Sequence, residues 1–125
     1  MTSSVVITAL AKFNEGDAFF EHLSDDVVLE FPYGPSLGLP GRVTGVQAVR
    51  ERLGAAQASG LLLGEATLHE AGPRRCLAEY TGTYRAEDGR PADVPLVAVI
   101  EHDGERITLI REYWDTLRLA MLNER

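Results

Sequence analysis

The chain has little for disulfide or soft-metal chemistry: one cysteine (Cys76), two methionines and three scattered histidines. One thiol closes no internal disulfide, and the histidines form no metal-ligand cluster. No apolar run approaches the ~20 residues of a membrane span. The N-terminal MTSSVVITALAKF has no basic residue ahead of its short apolar patch and no small-residue cleavage pattern. A secretory leader is therefore not expected, and a cytoplasmic location is. Positive charge is scarce as well. Twelve Lys and Arg against 19 Asp and Glu give a formal net charge of −7, which repels a phosphate backbone and makes nucleic acid a poor partner. No repeat, low-complexity tract or linker divides the sequence.

The 125 residues are 45% hydrophobic and 25% charged, as in an ordinary globular domain spanning 1–125 that buries about two thirds of its unfolded surface. Val5, Leu10, Phe13, Phe19 and Leu23 recur at roughly helical spacing and are interrupted by NEGD, which predicts two short helices bent at Gly16. VVLEFPY alternates as a strand ended by Pro32 and Gly34. The stretch FPYGPSLGLPGRVTG is then a loop, either a lid over a ligand or a rigid connector. TGVQAVRERLGAAQ predicts a helix capped by Thr44, with Val46, Val49 and Leu53 inward and Arg50, Glu51 and Arg52 on the wet side. LLLGEATLHE, RRCLAEYTGTYRA, DVPLVAVIEHD and RITLIREYWD alternate as four strands, and TLRLAMLNER is a closing helical turn. Helices first and strands later give an α+β fold.

That order resembles the NTF2-like superfamily. FPYGPSLGLPGRVTGVQAVRERL and HDGERITLIREYWDTLRL resemble the first strand, flap loop, third helix and last hairpin of SnoaL-like proteins. The resemblance implies a cone: N-terminal helices packed on a curved antiparallel sheet that encloses a pocket. It does not by itself fix an activity. The ketosteroid isomerase acids and tyrosine would fall on Phe31, Ala9 and Leu96, so that mechanism is not expected. The limonene-type epoxide hydrolase pairs would fall on Leu29 with Phe31 and on Glu79 with Thr81, leaving Glu112 as the one matching position.

Alternation puts Ile110, Glu112 and Trp114 on one face of the last strand, the inner face if the resemblance holds. The same alignment turns Leu77, Glu79, Thr81 and Thr83 inward with Leu96, Ala98 and Ile100, and places Glu112 beside Leu96. Glu112 and Glu79 would then stand two strands apart, about 10 Å between backbones. The resulting expectation is a cofactor-independent and metal-free cyclase, isomerase or dehydratase acting on a hydrophobic carbonyl-containing or polyketide-like molecule. Glu112 takes the proton, and Glu79 or Tyr33 donates to the oxyanion. Phe31, Thr81, Leu96, Ile110 and Trp114 would line the substrate, with Tyr33 at the entrance. Epoxide opening and ligand binding without turnover are the alternatives. Tyr80, Tyr84 and Tyr113 would face outward, where a homodimer partner would cover them. His22, His69 and His102 have no catalytic partner in sight, and Cys76 is read as a small buried hydrophobe.

Overall fold

The computed structural model describes residues 4–122. Helix α1, Ser4–Lys12, buries Val6 and Ala9 and leads into Phe13, also buried. A 3-10 segment, Phe13–His22, follows and is bent at Gly16, whose φ of 79° and ψ of −125° belong to glycine's own region of backbone space. The bend leaves carbonyls unpaired, and helix α2, Val46–Ala58, supplies their donor: Gln57 Nε2 reaches Phe13 O at 2.8 Å and Gly16 O at 3.2 Å. Phe13, Phe19 and Phe20 pack edge to face at centroid separations of 5.1 and 5.3 Å.

The strands are β1 (Leu23–Glu30), β2 (Arg42–Thr44), β3 (Leu62–Leu63), β4 (Thr67–Glu70), β5 (Arg75–Arg85), β6 (Pro91–His102) and β7 (Ile107–Trp114). They form one sheet in the order β2-β1-β7-β6-β5-β3, with β4 also on β5. The helices cover its inner face, and α3, Thr116–Leu122, closes one end. The sheet is mixed: β1 runs parallel to β7, and every other pair is antiparallel.

Several boundaries differ from the sequence expectation. The first strand ends at Glu30, one residue before Phe31. Thr44 belongs to β2, and Gly45, with φ 92°, stands at the start of α2, so no side chain caps that helix. LLLGEATLHE is split into β3 and β4 around Gly64–Ala66. The closing turn TLRLAMLNER forms α3, and positions 123–125 of it lie outside the described residues.

The loop between β1 and β2 is closed by its own backbone. Phe31 N donates to Gly41 O at 2.9 Å, while Gly34 O accepts from Leu37 N and Leu39 N. Gly34 is required by space: a Cβ there would lie 2.9 Å from Pro40 O and 3.0 Å from Phe31 O.

Two glycines predict opposite outcomes. Gly16→Ala has room for its methyl group but not for its backbone angles, and should lose about 1–3 kcal/mol. Gly54→Ala, inside α2 with open space around it, should gain roughly 0.5–1 kcal/mol. Urea unfolding of both variants checks this; equal signs would refute the backbone argument.

Candidate functional site

A cavity of about 250 Å³ lies between the helices and the inner face of the sheet. Its walls are mostly apolar: Phe31 from the end of β1, Leu96 from β6, Ile110 and Trp114 from β7, and Leu53 from α2. Leu37 and Leu39 from the loop, and Leu119 and Leu122 from α3, complete the rim. The Phe31 and Trp114 rings lie 4.6 Å apart at 32°. Among the described residues, four lining side chains carry ionisable groups: Arg52, Tyr80, Tyr84 and Glu112.

Glu112 reaches the cavity because β7 alternates as expected. Directly across from it on β6 is Ala98, and across from that on β5 is Ala78. Two methyl side chains leave the carboxylate room to lie over the sheet. There it accepts from Trp114 Nε1 through Oε1 and from the Tyr80 hydroxyl through Oε2, both at 3.0 Å. Glu112 is half-buried, and it lines the cavity. Burial therefore pushes its carboxyl pKa up, and outweighs the two hydrogen bonds and the Arg52 charge, which pull it down. Burial, together with the neighbouring Glu112 charge and hydrogen bond, pushes the Tyr80 phenol well above its ordinary value. Burial likewise raises Tyr84, so both stay neutral donors.

Strand β5, two strands across the sheet from β7, is turned over relative to expectation. Leu96 pairs with Tyr80, not Thr81. Directly paired residues share a face, so Cys76, Ala78, Tyr80 and Gly82 point inward and Leu77, Glu79, Thr81 and Thr83 point out. The cause is the turn: Ala86 N donates to Arg90 O, and a five-residue connection shifts the pairing by one from the expected hairpin. Glu79 is thus on the outer face, its side chain 57% exposed and paired with His69. Thr81 lies beside it on the outer face and touches no part of the cavity. Glu112 and Glu79 are not a catalytic pair.

Tyr33 is also outside, 48% exposed, with its ring against Tyr113 at 5.6 Å. It is Leu37 and Leu39 that the loop turns inward. Between β6 and β7 the shift is by two residues, so Glu112 lies beside Ala98 and Trp114 beside Leu96. The faces survive an even shift. Tyr80 and Tyr84 line the cavity, while Leu77, Val97, Val99, Leu109 and Tyr113 are among the residues of the outer face. None of His22, His69 and His102 lines the cavity. Cys76 is fully buried. Among the described residues, no group of three or more His, Cys, Asp or Glu side chains is gathered for a metal ion.

Besides Tyr80 and Tyr84, which were expected outside, sequence reasoning missed Arg52. Assigned to the wet side of α2, it turns into the cavity, with its guanidinium 5.0 Å from the Phe31 centroid. Arg50, two residues earlier, does stay outside and pairs with Asp17 at 2.9 Å. The available signal was position: Arg52 neighbours Leu53 and follows Val49 by three, the spacing of the inward stripe.

Comparison with solved structures places this geometry among known folds. A provisionally named isomerase from Bacillus subtilis matches with a TM-score of 0.83 at 23% identity, over 98% of this chain and 94% of that one. TerC, co-crystallised with polyporic acid, matches at 0.82 and 20%, over 97% and 96%. A provisionally named polyketide cyclase from Xanthomonas campestris pv. campestris matches at 0.78 and 22%, over 97% and 95%. Others carry the name NTF2-like. At these identities the likeness is one of fold, and the chain has the NTF2-like fold. No family model and no curated protein matches it.

The raised Glu112 value has a thermodynamic consequence. In the unfolded chain a glutamate titrates near ~4.3; in the folded protein Glu112 holds its proton to higher pH. Between those two values the folded state binds the extra proton, so this contribution to stability falls as pH rises through the window and is flat above it. Glu112→Gln should remove that slope and be the more stable form above the window. The amide fits, since its oxygen can accept from Trp114 and its nitrogen donate to Tyr80. Urea unfolding of both forms across pH 4–8 gives the difference curve; a flat one would show that Glu112 titrates as if exposed.

Proposed function

We propose that the protein is a cofactor-independent acid/base enzyme of cyclase or isomerase type, acting on a flat, hydrophobic, carbonyl-containing molecule. The observation that carries this reading is the Glu112 carboxylate, held by Trp114 and Tyr80 inside an apolar cavity. The isomerase and polyketide cyclase names among the fold neighbours, and the acid co-crystallised with one of them, support it as analogy. A cavity of about 250 Å³ lies near the lower end of small-molecule sites and suits about two fused rings.

The two oxygens of Glu112 have different duties. The Trp114 N–H can only donate, so Oε1 remains an acceptor in either protonation state. The Tyr80 hydroxyl both donates and accepts, so the proton of the neutral acid belongs on Oε2. In the reaction, a C–H bond next to the carbonyl breaks and its proton passes to Oε2. The electron pair forms a C=C bond and moves charge onto the carbonyl oxygen. Return of the proton at another carbon of the conjugated enolate is an isomerisation. Attack of the enolate carbon on a second carbonyl of the same molecule forms a ring C–C bond, and the new alkoxide takes the proton from Oε2. Atoms and electrons balance without an oxidant or reductant. A raised pKa makes Glu112 the stronger base once it is ionised.

The expected outcome is catalysed exchange of the α-hydrogens of 2-tetralone, a flat bicyclic ketone, in deuterated buffer, followed by proton NMR. Its rate should rise with pH through a value above the ordinary glutamate range, and Glu112→Gln should lower it by roughly 10²–10⁴-fold. Equal exchange by both forms would remove Glu112 from the chemistry. A compound bound equally well by both forms with no turnover would make the cavity a binding site.

A further inference from the structure

We propose that Arg52 and Tyr84 form an anion-binding subsite inside the cavity, so that the ligand is an aromatic or conjugated compound bearing an ionised oxygen, such as a carboxylate, phenolate or enolate. This rests on reading the cavity as a small-molecule site.

Arg52 is half-buried and lines an otherwise apolar space. Its guanidinium carbon lies over the Phe31 ring, 5.0 Å from the centroid, a contact that uses none of its N–H donors. Among the described residues no carboxylate or carbonyl forms an ion pair or hydrogen bond with it. Other arginines are paired: Arg50 with Asp17, Arg75 with Glu101 and Arg111 with Glu30. The Tyr84 hydroxyl, at the same cavity, also has no hydrogen-bond partner among the described residues.

The plainer reading makes Arg52 the counter-charge of Glu112. Both Glu112 oxygens are already occupied, by Trp114 and by Tyr80, and no contact ion pair joins the two residues. Arg52 acts on Glu112 and on Tyr84 through space, which puts the three polar groups in one region of the cavity. Burial keeps Glu112 protonated to higher pH than usual, and while it is neutral the guanidinium charge has nothing opposite it. A partly buried charge without a partner is costly, and a ligand oxygen anion would remove that cost. A guanidinium edge also suits a two-oxygen group better than a lone ammonium would. Tyr84, kept neutral, adds a third donor. A neutral ligand of the same shape would leave both groups desolvated and unpaired, so the subsite selects by charge within a common hydrophobic frame.

Two probes of nearly equal shape separate charge from packing: 2-naphthoate and 2-naphthamide. Affinities are read by isothermal titration calorimetry. Quenching of Trp114, the chain's one tryptophan, reports that the probe is in the cavity. The wild-type protein should bind naphthoate at least tenfold more tightly than naphthamide. Arg52→Met, of similar length and helix propensity, should lose that preference through weaker naphthoate binding, while naphthamide binds no more weakly than to the wild type. A preference that survives the substitution, or an equal loss for both probes, would overturn the subsite. If Arg52→Met does not fold, Arg52→Lys takes its place, since it keeps the charge and loses the fork: a weakened preference with naphthamide unchanged supports the proposal, and an unchanged preference overturns it. Failure of both probes to bind the wild type would take down the small-molecule reading together with this one. Charge-selective binding without tetralone exchange would leave the subsite standing and remove only the acid/base reading.

Discussion

The pairing of β5, β6 and β7 decides what the cavity contains. Tyr80, Leu96 and Trp114 form one row across the three strands, and Ala78, Ala98 and Glu112 the next. The first row supplies two hydrogen-bond donors and a hydrophobic divider. The second supplies a carboxylate with only methyl groups beside it. Neither row works alone: Glu112 without the alanines would have no room, and without Tyr80 and Trp114 it would be a buried carboxylate lacking donors, which is costly in an apolar space. Moving β5 by one residue would exchange Tyr80 for Glu79, which has no donor when ionised, or for Thr81, whose hydroxyl sits on a far shorter side chain than the phenol. The chemistry of the site is thus a property of strand register.

The same rows explain how a polar group is tolerated in a core that holds Phe19, Leu29, Phe31 and Ile100 almost without exposure. Each oxygen of Glu112 has its own donor, so the group is satisfied in its ionised form. Burial still favours the neutral form, and the outcome is a balance set by named neighbours. Trp114 and Tyr80 hold the charge in, and the apolar walls push it out. A balance of this kind puts a carboxyl where small changes in its surroundings move a proton, which is how perturbed acids come to concentrate at functional sites.

The order of elements was legible in the sequence, and so were β7 and β6. The structure turns Ile110, Glu112 and Trp114 of β7 and Leu96, Ala98 and Ile100 of β6 to the inner face, as expected, but it was the family resemblance that chose this face, because Val97 and Val99 make β6 apolar on both sides. In β5 both faces are ambiguous. Cys76, Ala78, Tyr80 and Gly82 are no more hydrophobic in pattern than Leu77, Glu79, Thr81 and Thr83, and register there rests on the Ala86–Arg90 turn, whose geometry local pattern does not encode. Arg52 was missed for another reason, although its spacing from Val49 carried the signal. A long cationic side chain on an amphipathic helix is normally read as solvated, and only the Phe31 ring and the cavity beneath it make the inward course available. Tyr33 followed from the opposite error, since an aromatic at the head of a loop was taken to point at the pocket, whereas the Tyr113 ring outside offered it a partner.

The proline- and glycine-rich loop combines the two roles considered for it. Its backbone groups pair with one another around Gly34 and Gly41, which makes it a stiff connector, and the stiffness is what holds Leu37 and Leu39 over the cavity. On the other side α3 brings Leu119 and Leu122 to the same space. Its first turn is fixed by Asp115, which accepts from Arg118 N, and by Arg118, which donates to Asp93 O at 2.8 Å. The polar groups therefore come from strands and from α2, where neighbours on both sides fix their positions, together with most of the apolar wall, while part of the apolar rim comes from a loop and a short helix. Loops and ends tolerate replacement without disturbing the sheet. On the proposed reading, β5 to β7 set the reaction type and Arg52 the charge of the ligand. The leucines of the loop and α3 would then trim the entrance to a space whose walls Phe31, Leu53, Leu96, Ile110 and Trp114 define, and they are the part of that lining freest to change.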